Sequence, residues 1–398
     1  MIYRDFKGEK LSMLGFGTMR LPVTEDGGID VKQTEEMVDL ALSSGVNYID
    51  TAYPYMSSKS EIVIGRRLSK YPRNSFYLAD KYPGHMLLEQ DPEGIFAEQL
   101  KKCGVDYFDF YLLHNVYEND IDMYMDGKLG VLEYFKKMKE EGKIRHLGLS
   151  SHGDLPCLVK FLDWAGDAIE FVQIQLNYLD WTLQGAKGKY EELTKRGIPV
   201  WVMEPVRGGK LAVLSPEDRR KLDASGMKDK ETSYAFRWFH GLENVGMVLS
   251  GMSNMDQMKE NIATFDTLAP LGEKETGMLL ELAEGMKNSI PCTACRYCCD
   301  GCPMGLDIPD LIYKLNQLTV RGGSGNSVAM QMDALPEDKL PSACIGCGRC
   351  RRVCPQKIDI PAAMEKLTEE IAKFPRWADT IKERAEAARK AREEAGKA

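Results

Sequence analysis

Eight cysteines in the last third of the chain repeat one spacing. Cys292, Cys295, Cys298 and Cys302 are followed by Pro303, and Cys344, Cys347, Cys350 and Cys354 by Pro355, so C-x2-C-x2-C-x3-C-P occurs twice. Of the 11 cysteines only Cys103 and Cys157 precede this region, and Cys299 is surplus to both motifs. Thiols at such density either hold metal or join as disulfides, and both constrain the chain path more tightly than side-chain packing does. Disulfides suit an exported chain, and the N-terminal MIYRDFKGEKLSML has no basic stretch followed by an apolar core and a cleavage site. The expected compartment is the cytoplasm. Zinc needs four ligands, usually in C-x2-C pairs, and explains neither the third cysteine nor the proline.

The spacing resembles that of bacterial ferredoxins. The resemblance implies two 4Fe-4S clusters with exchanged fourth ligands. Cys292, Cys295, Cys298 and Cys354 would hold one cluster, and Cys344, Cys347, Cys350 and Cys302 the other. Cys299 reads as a small buried residue in the cluster wall. The connector 304–341 carries helical runs at 308–318 and 328–335, and resembles the α-helical ferredoxin type that serves larger oxidoreductases as an electron wire.

Upstream the pattern differs. Short β-branched or aromatic runs at 14–18, 48–52, 76–81, 108–114, 146–150, 171–176, 200–204 and 246–250 predict eight strands. Helical stretches such as 34–44, 61–69, 92–103, 131–141 and 187–196 lie between them, and several close on a glycine: Gly45, Gly104, Gly142 and Gly197. Eight βα alternations in one stretch favour a closed (β/α)8 TIM barrel. An open doubly wound sheet is the alternative, and its G-x-G-x-x-G after the first strand is missing. The expected architecture is thus an α/β chain: a (β/α)8 barrel over 1–272, a small mainly α-helical ferredoxin-like domain over 273–375 opening with a helix at 274–287, and a charged helix or tail at 376–398.

Active sites of such barrels gather at the C-terminal ends of strands. Asp50 closes NYID, Tyr55 follows it, Lys81 closes FYLADK and His114 closes FDFYLLH. With Ser60 and Glu61 following, D-T-A-x-x-Y, the strand-end lysine and L-L-H resemble the aldo-keto reductase superfamily in kind and order over roughly residues 1–270. The resemblance implies an NAD(P)H-dependent oxidoreductase that reduces an aldehyde or ketone to an alcohol. Tyr55 would be the general acid, Lys81 with Asp50 would lower the phenol's pKa, and His114 would orient the carbonyl. Carbonyl reduction independently calls for a proton donor and an electropositive setting beside the developing alkoxide.

For the cofactor the same resemblance implies Gly17 and Thr18, a nicotinamide-amide clamp of Ser150 and Gln173, and Glu260 and Asn261 near the adenine. The chain departs from the family pattern at three places. Ser151 stands for the usual asparagine, Met203 for the aromatic ring that stacks on the nicotinamide, and Gly251 and Gln257 for basic residues that hold the 2′-phosphate, with Lys259 as the candidate replacement. NADH and NADPH are therefore equal candidates, and a flavin is not excluded. The loop PVRGGKL, with Arg207, Gly208, Gly209 and Lys210, reads either as a pyrophosphate cradle or as a flexible loop of solvated charges.

A net charge of −8 argues against attraction to nucleic acid or anionic lipid, and no apolar run approaches a membrane span. A small carbonyl compound is the expected substrate. Two further readings stay open: an electron-transfer enzyme whose clusters serve a ferredoxin-like partner, and a nucleotide-binding redox sensor.

Overall fold

The computed structural model describes residues 1–84, 87, 90–118, 120–286, 289–319 and 325–374. The predicted C-terminal helix or tail at 376–398 lies outside them. Two compact units emerge, Met1–Ala283 and a second beginning at Glu284, so the division falls inside the helix Glu273–Met286. Among the described residues no helix is long and apolar enough to cross a membrane.

The first unit opens with a hairpin that the sequence reading did not assign, β1 (Tyr3–Phe6) and β2 (Glu9–Ser12). Its two turn residues, Lys7 and Gly8, both have positive φ (53° and 88°), the requirement of the tight hairpin turn that matches strand twist. Eight parallel strands follow: β3 (Leu14–Gly17), β4 (Tyr48–Asp50), β5 (Tyr77–Tyr82), β6 (Phe108–Val116), β7 (Ile144–Ser151), β8 (Val172–Gln175), β9 (Val200–Met203) and β10 (Val245–Gly251). β10 pairs with both β3 and β9, which closes the barrel. These are the eight predicted strands, displaced by at most a few residues at their ends.

A helix returns after each strand, from Val31–Ser43 to Met255–Phe265. Several starts are written in the sequence: the side chains of Asp30, Asp91 and Asp154 accept N–H groups of the first turn, and Pro92 and Pro156 sit where a missing N–H does no harm. The hairpin brings Phe6 and Leu11 onto an aromatic cluster of Tyr48, Phe110, Phe171 and Trp201. Phe6 meets Trp201 edge-on at 5.0 Å and His146 at 4.9 Å. That packing fills the barrel interior at the end away from the strand-end residues.

Gly65 sets the seat of the helix Ser60–Leu68. A Cβ there would lie 2.4 Å from the Cys103 carbonyl oxygen, on the neighbouring helix Pro92–Cys103. Alanine would gain about 1 kcal/mol of helix propensity, but overpacking against backbone costs roughly 1–3 kcal/mol. We expect Gly65→Ala to be net destabilising, read as a lower urea midpoint; an unchanged or higher midpoint would show that the two helices can part.

In the second unit the sequence repeat runs beyond the cysteines. Cys-Pro-x-x-x-Asp-Ile-Pro occurs after each fourth cysteine, at Cys302–Pro309 and again at Cys354–Pro361. Each Asp-Ile-Pro starts a long helix, Ile308–Thr319 and Ile360–Ile371, where Asp307 accepts from the Asp310 N–H and Asp359 from the Ala362 N–H. The two helices pack together over a core of Leu311, Leu315, Met364 and Leu367. Each cysteine triplet likewise enters a short helical turn after a left-handed residue, Arg296 (φ 68°) before Tyr297–Asp300 and Gly348 (φ 71°) before Arg349–Arg352.

Candidate functional site

Asp50 ends β4, Lys81 is the penultimate residue of β5 and His114 lies near the end of β6, so three adjacent strands deliver them to one end of the barrel. Lys81 is wholly buried, and its Nζ donates to Asp50 Oδ1 at 2.7 Å and to the Thr51 carbonyl at 2.6 Å. The same Nζ sits 4.8 Å from the centre of the Tyr55 ring. The His114 ring stands edge-on to Tyr55 at 6.0 Å. The structure thus gathers all four residues that the sequence singled out.

Tyr55 heads the turn Tyr55–Ser58, in which Met56, Ser57 and Ser58 all have left-handed backbones (φ 52°, 56° and 62°). Ser60 pins the turn: its buried hydroxyl lies 2.7 Å from Thr18 Oγ1 and 2.9 Å from Thr51 Oγ1. One electrostatic expectation is overturned. Burial holds the Tyr55 phenol well above its ordinary pKa, and the carboxylates of Asp50, Asp80 and Glu204 push the same way against Arg20. The net direction is thus opposite to the one expected, and the Lys81 charge beneath the ring is shared with Asp50. Burial also raises the Asp50 carboxyl, with Lys81 opposing.

The predicted cofactor residues divide into two groups. Ser150 on β7 and Gln173 on β8 are register partners. Ser150 Oγ accepts the Asn115 N–H at 2.8 Å, which leaves its own proton to give. Gln173 Nε2 lies 3.7 Å from Met203 Sδ, while its Oε1 is buried with no hydrogen-bond partner. A carboxamide N–H would satisfy that acceptor, so the pair fits a nicotinamide amide. Gly17 pairs in register with Asp50 and Gly251, and Gly208 and Gly209 have positive φ (65° and 91°) in the loop after β9.

Other predicted contacts are engaged elsewhere. The Ser151 hydroxyl donates to the Val116 carbonyl (2.9 Å) and accepts from Gly153 N–H (3.1 Å), and the Thr18 hydroxyl donates to the Asp50 carbonyl (2.9 Å). Arg207 is neither solvated nor loose: it is fully buried, with Nε 2.9 Å from Asp180 Oδ2. Its charge is answered inside the fold, so of the two readings of this loop the one with solvated charges does not hold at Arg207. Asn261 Nδ2 donates to Ser250 Oγ at 3.0 Å, and Glu260 is paired with Lys230 at 2.6 Å. Gln257 is exposed on the helix Met255–Phe265 and accepts the Ser253 N–H at 2.8 Å.

Sequence reasoning missed the residues that brace this rim. Asp180 gathers Gln175, Asn177 and Arg207 into one buried network, and Arg20 reaches Glu204 at 3.2 Å. A buried arginine demands an acid, but nothing in the spacing says which one.

In the second unit the eight motif cysteines surround two hollows. Cys292, Cys295, Cys298 and Cys354 line one, together with Ile312 and Ile358. Cys302, Cys344, Cys347 and Cys350 line the other, with Leu306 and Met364. Each hollow draws three cysteines from one motif and the fourth from the other, the exchange that the ferredoxin spacing implies. The rest of the lining is mostly apolar, with Thr293, Arg296 and Gln356 at the first hollow and Arg349 at the second.

Family comparison agrees with the barrel. The model of the aldo/keto reductase family matches residues 13–284, and that of the 4Fe-4S dicluster domain matches residues 291–358. The chain belongs to the aldo/keto reductase family and is an oxidoreductase of that family carrying a 4Fe-4S domain. Among relatives, L-galactose dehydrogenase of Arabidopsis thaliana is 25% identical over 71% of this chain and 93% of its own. The NADH-specific methylglyoxal reductase of Escherichia coli K12 is 22% identical over 70% and 96% respectively. A probable aldo-keto reductase of Glycine max is 32% identical, but the match spans 36% of this chain and 42% of that one. The solved aldo-keto reductase AKR11C1 of Bacillus halodurans superposes with a TM-score of 0.58 at 25% identity, covering 71% of this chain and 96% of that one.

Proposed function

We propose that the barrel reduces an aldehyde or ketone to the alcohol with NADH or NADPH, and that the C-terminal unit holds two 4Fe-4S clusters. The observation that supports the first part most is the buried Lys81–Asp50 pair beneath the Tyr55 ring. When bound, the nicotinamide supplies the hydride. Tyr55 then gives its proton to the carbonyl oxygen as charge develops there. A phenol held above its ordinary pKa keeps that proton at neutral pH and yields it only to a stronger base, the alkoxide that develops on the carbonyl oxygen. The Lys81 ammonium stabilises the phenolate left behind, and Asp50 fixes the ammonium in place. His114, on the edge of the same ring, hydrogen-bonds the carbonyl oxygen and aims it. Ser150 and Gln173 hold the carboxamide of the nucleotide.

Methylglyoxal, named for the Escherichia coli relative, is a suitable first aldehyde. Tyr55→Phe is expected to lower kcat about 10²–10⁴-fold, the range of a lost general acid, while nucleotide affinity stays that of the parent. Turnover within a few-fold of the parent would overturn the role of Tyr55.

A further inference from the structure

We propose that the exposed face formed by residues 345–357 is the docking surface for an acidic, one-electron carrier protein. The inference rests on the reading that Cys302, Cys344, Cys347 and Cys350 hold a cluster. From Pro341 to Ile358 the chain carries Arg349, Arg351, Arg352 and Lys357 and no acidic residue, and all four side chains are exposed. Such a local excess stands out in a chain of net charge −8. Residues 344–360 set these four cations against Asp359 alone, which meets Arg351 at 3.1 Å, whereas the equivalent residues 292–308 carry Arg296 against both Asp300 and Asp307, the latter 3.1 Å from Arg296.

The basic residues surround apolar ones. Ile345 is 64% and Val353 45% exposed, and Cys347 is the one exposed cysteine among the motif residues. An apolar centre with a charged rim is the anatomy of a protein interface. A patch this small suits the weak, short-lived encounters of electron carriers, which bury less than about 1,200 Å² in total. An acidic partner would be repelled by most of the surface and steered to this face. Each encounter moves one electron: the carrier is oxidised by one as the centre behind Cys347 is reduced by one, and no bond or proton changes place.

The test uses the anaerobic full-length holoprotein and a plant-type [2Fe-2S] ferredoxin as probe. Binding of the labelled oxidised probe is followed by fluorescence anisotropy, and electron transfer from the reduced probe by stopped-flow absorbance. Binding is expected to weaken steeply with salt. Arg351→Glu/Arg352→Glu, and separately Ile345→Asp, should each slow transfer about tenfold or more, within the range of electrostatic steering, with iron content and reduction by dithionite like the parent's. Parent-like binding and transfer in both iron-replete variants would overturn the docking surface and leave the cluster reading intact. So would equal salt-sensitive binding to an acidic redox-inert protein or to anionic vesicles. A parent protein without iron would overturn the cluster reading and this proposal with it.

Discussion

Lys81→Met should both destabilise the barrel and abolish carbonyl reduction. Lys81 and Asp50 are buried together, and Asp50 Oδ2 already lacks a partner. Removing the ammonium leaves a buried carboxyl without its counter-charge, and breaking such a pair from one side costs about 3–5 kcal/mol. Part of that is recovered because burial already raises the Asp50 carboxyl, so the variant can take up a proton there. The sign follows from linkage. A carboxyl whose folded pKa exceeds its unfolded one binds more protons when folded, so the variant should be most stable at low pH and lose stability as pH rises through the folded value. Chemical denaturation of parent and variant across pH 5–8, with nucleotide oxidation measured alongside, checks both halves. A variant as stable as the parent and still active would show that the pair is dispensable.

The second large effect concerns the crossed cysteines. Anaerobic protein should carry about eight iron and eight sulfide per chain. Cys295→Ala and Cys354→Ala line the same hollow, so each should remove about four iron, and the double variant no more than either single. Combining Cys354→Ala with Cys347→Ala reaches both hollows and should remove about eight. The opposite pattern, additive loss within the first pair and none beyond it in the second, would mean that each motif keeps its own fourth cysteine.

Much of this was legible in the sequence for identifiable reasons. Parallel strands buried on both faces read as short apolar runs, so β3 to β10 were visible one by one, and strand ends are where barrel chemistry collects. Asp50, Tyr55, Lys81 and His114 were therefore findable without side-chain coordinates. The hairpin was not, because Tyr3–Phe6 and Glu9–Ser12 are mostly polar and become strands only when Phe6 and Leu11 meet the aromatic core. The burial of Arg207 was not legible, because a cation beside two glycines reads as solvated or as part of a phosphate cradle, and its partner Asp180 is distant in sequence. The same holds for Tyr55. Its pKa is raised first by burial and then by the charges of Asp50, Asp80 and Glu204, which come near it only once the barrel closes.

The turn after Tyr55 has a consequence of its own. Three successive side-chain-bearing residues in left-handed conformation cost of order 1–2 kcal/mol each, where glycine would adopt the same path freely. A glycine turn, however, would wander among many shapes and spread the phenol over many positions. Met56, Ser57 and Ser58 have few alternatives once Ser60 is clasped by Thr18 and Thr51. In the proposed reaction the Tyr55 phenol would consequently reach each encounter already aimed, its orientational entropy surrendered during folding rather than at the moment of reaction.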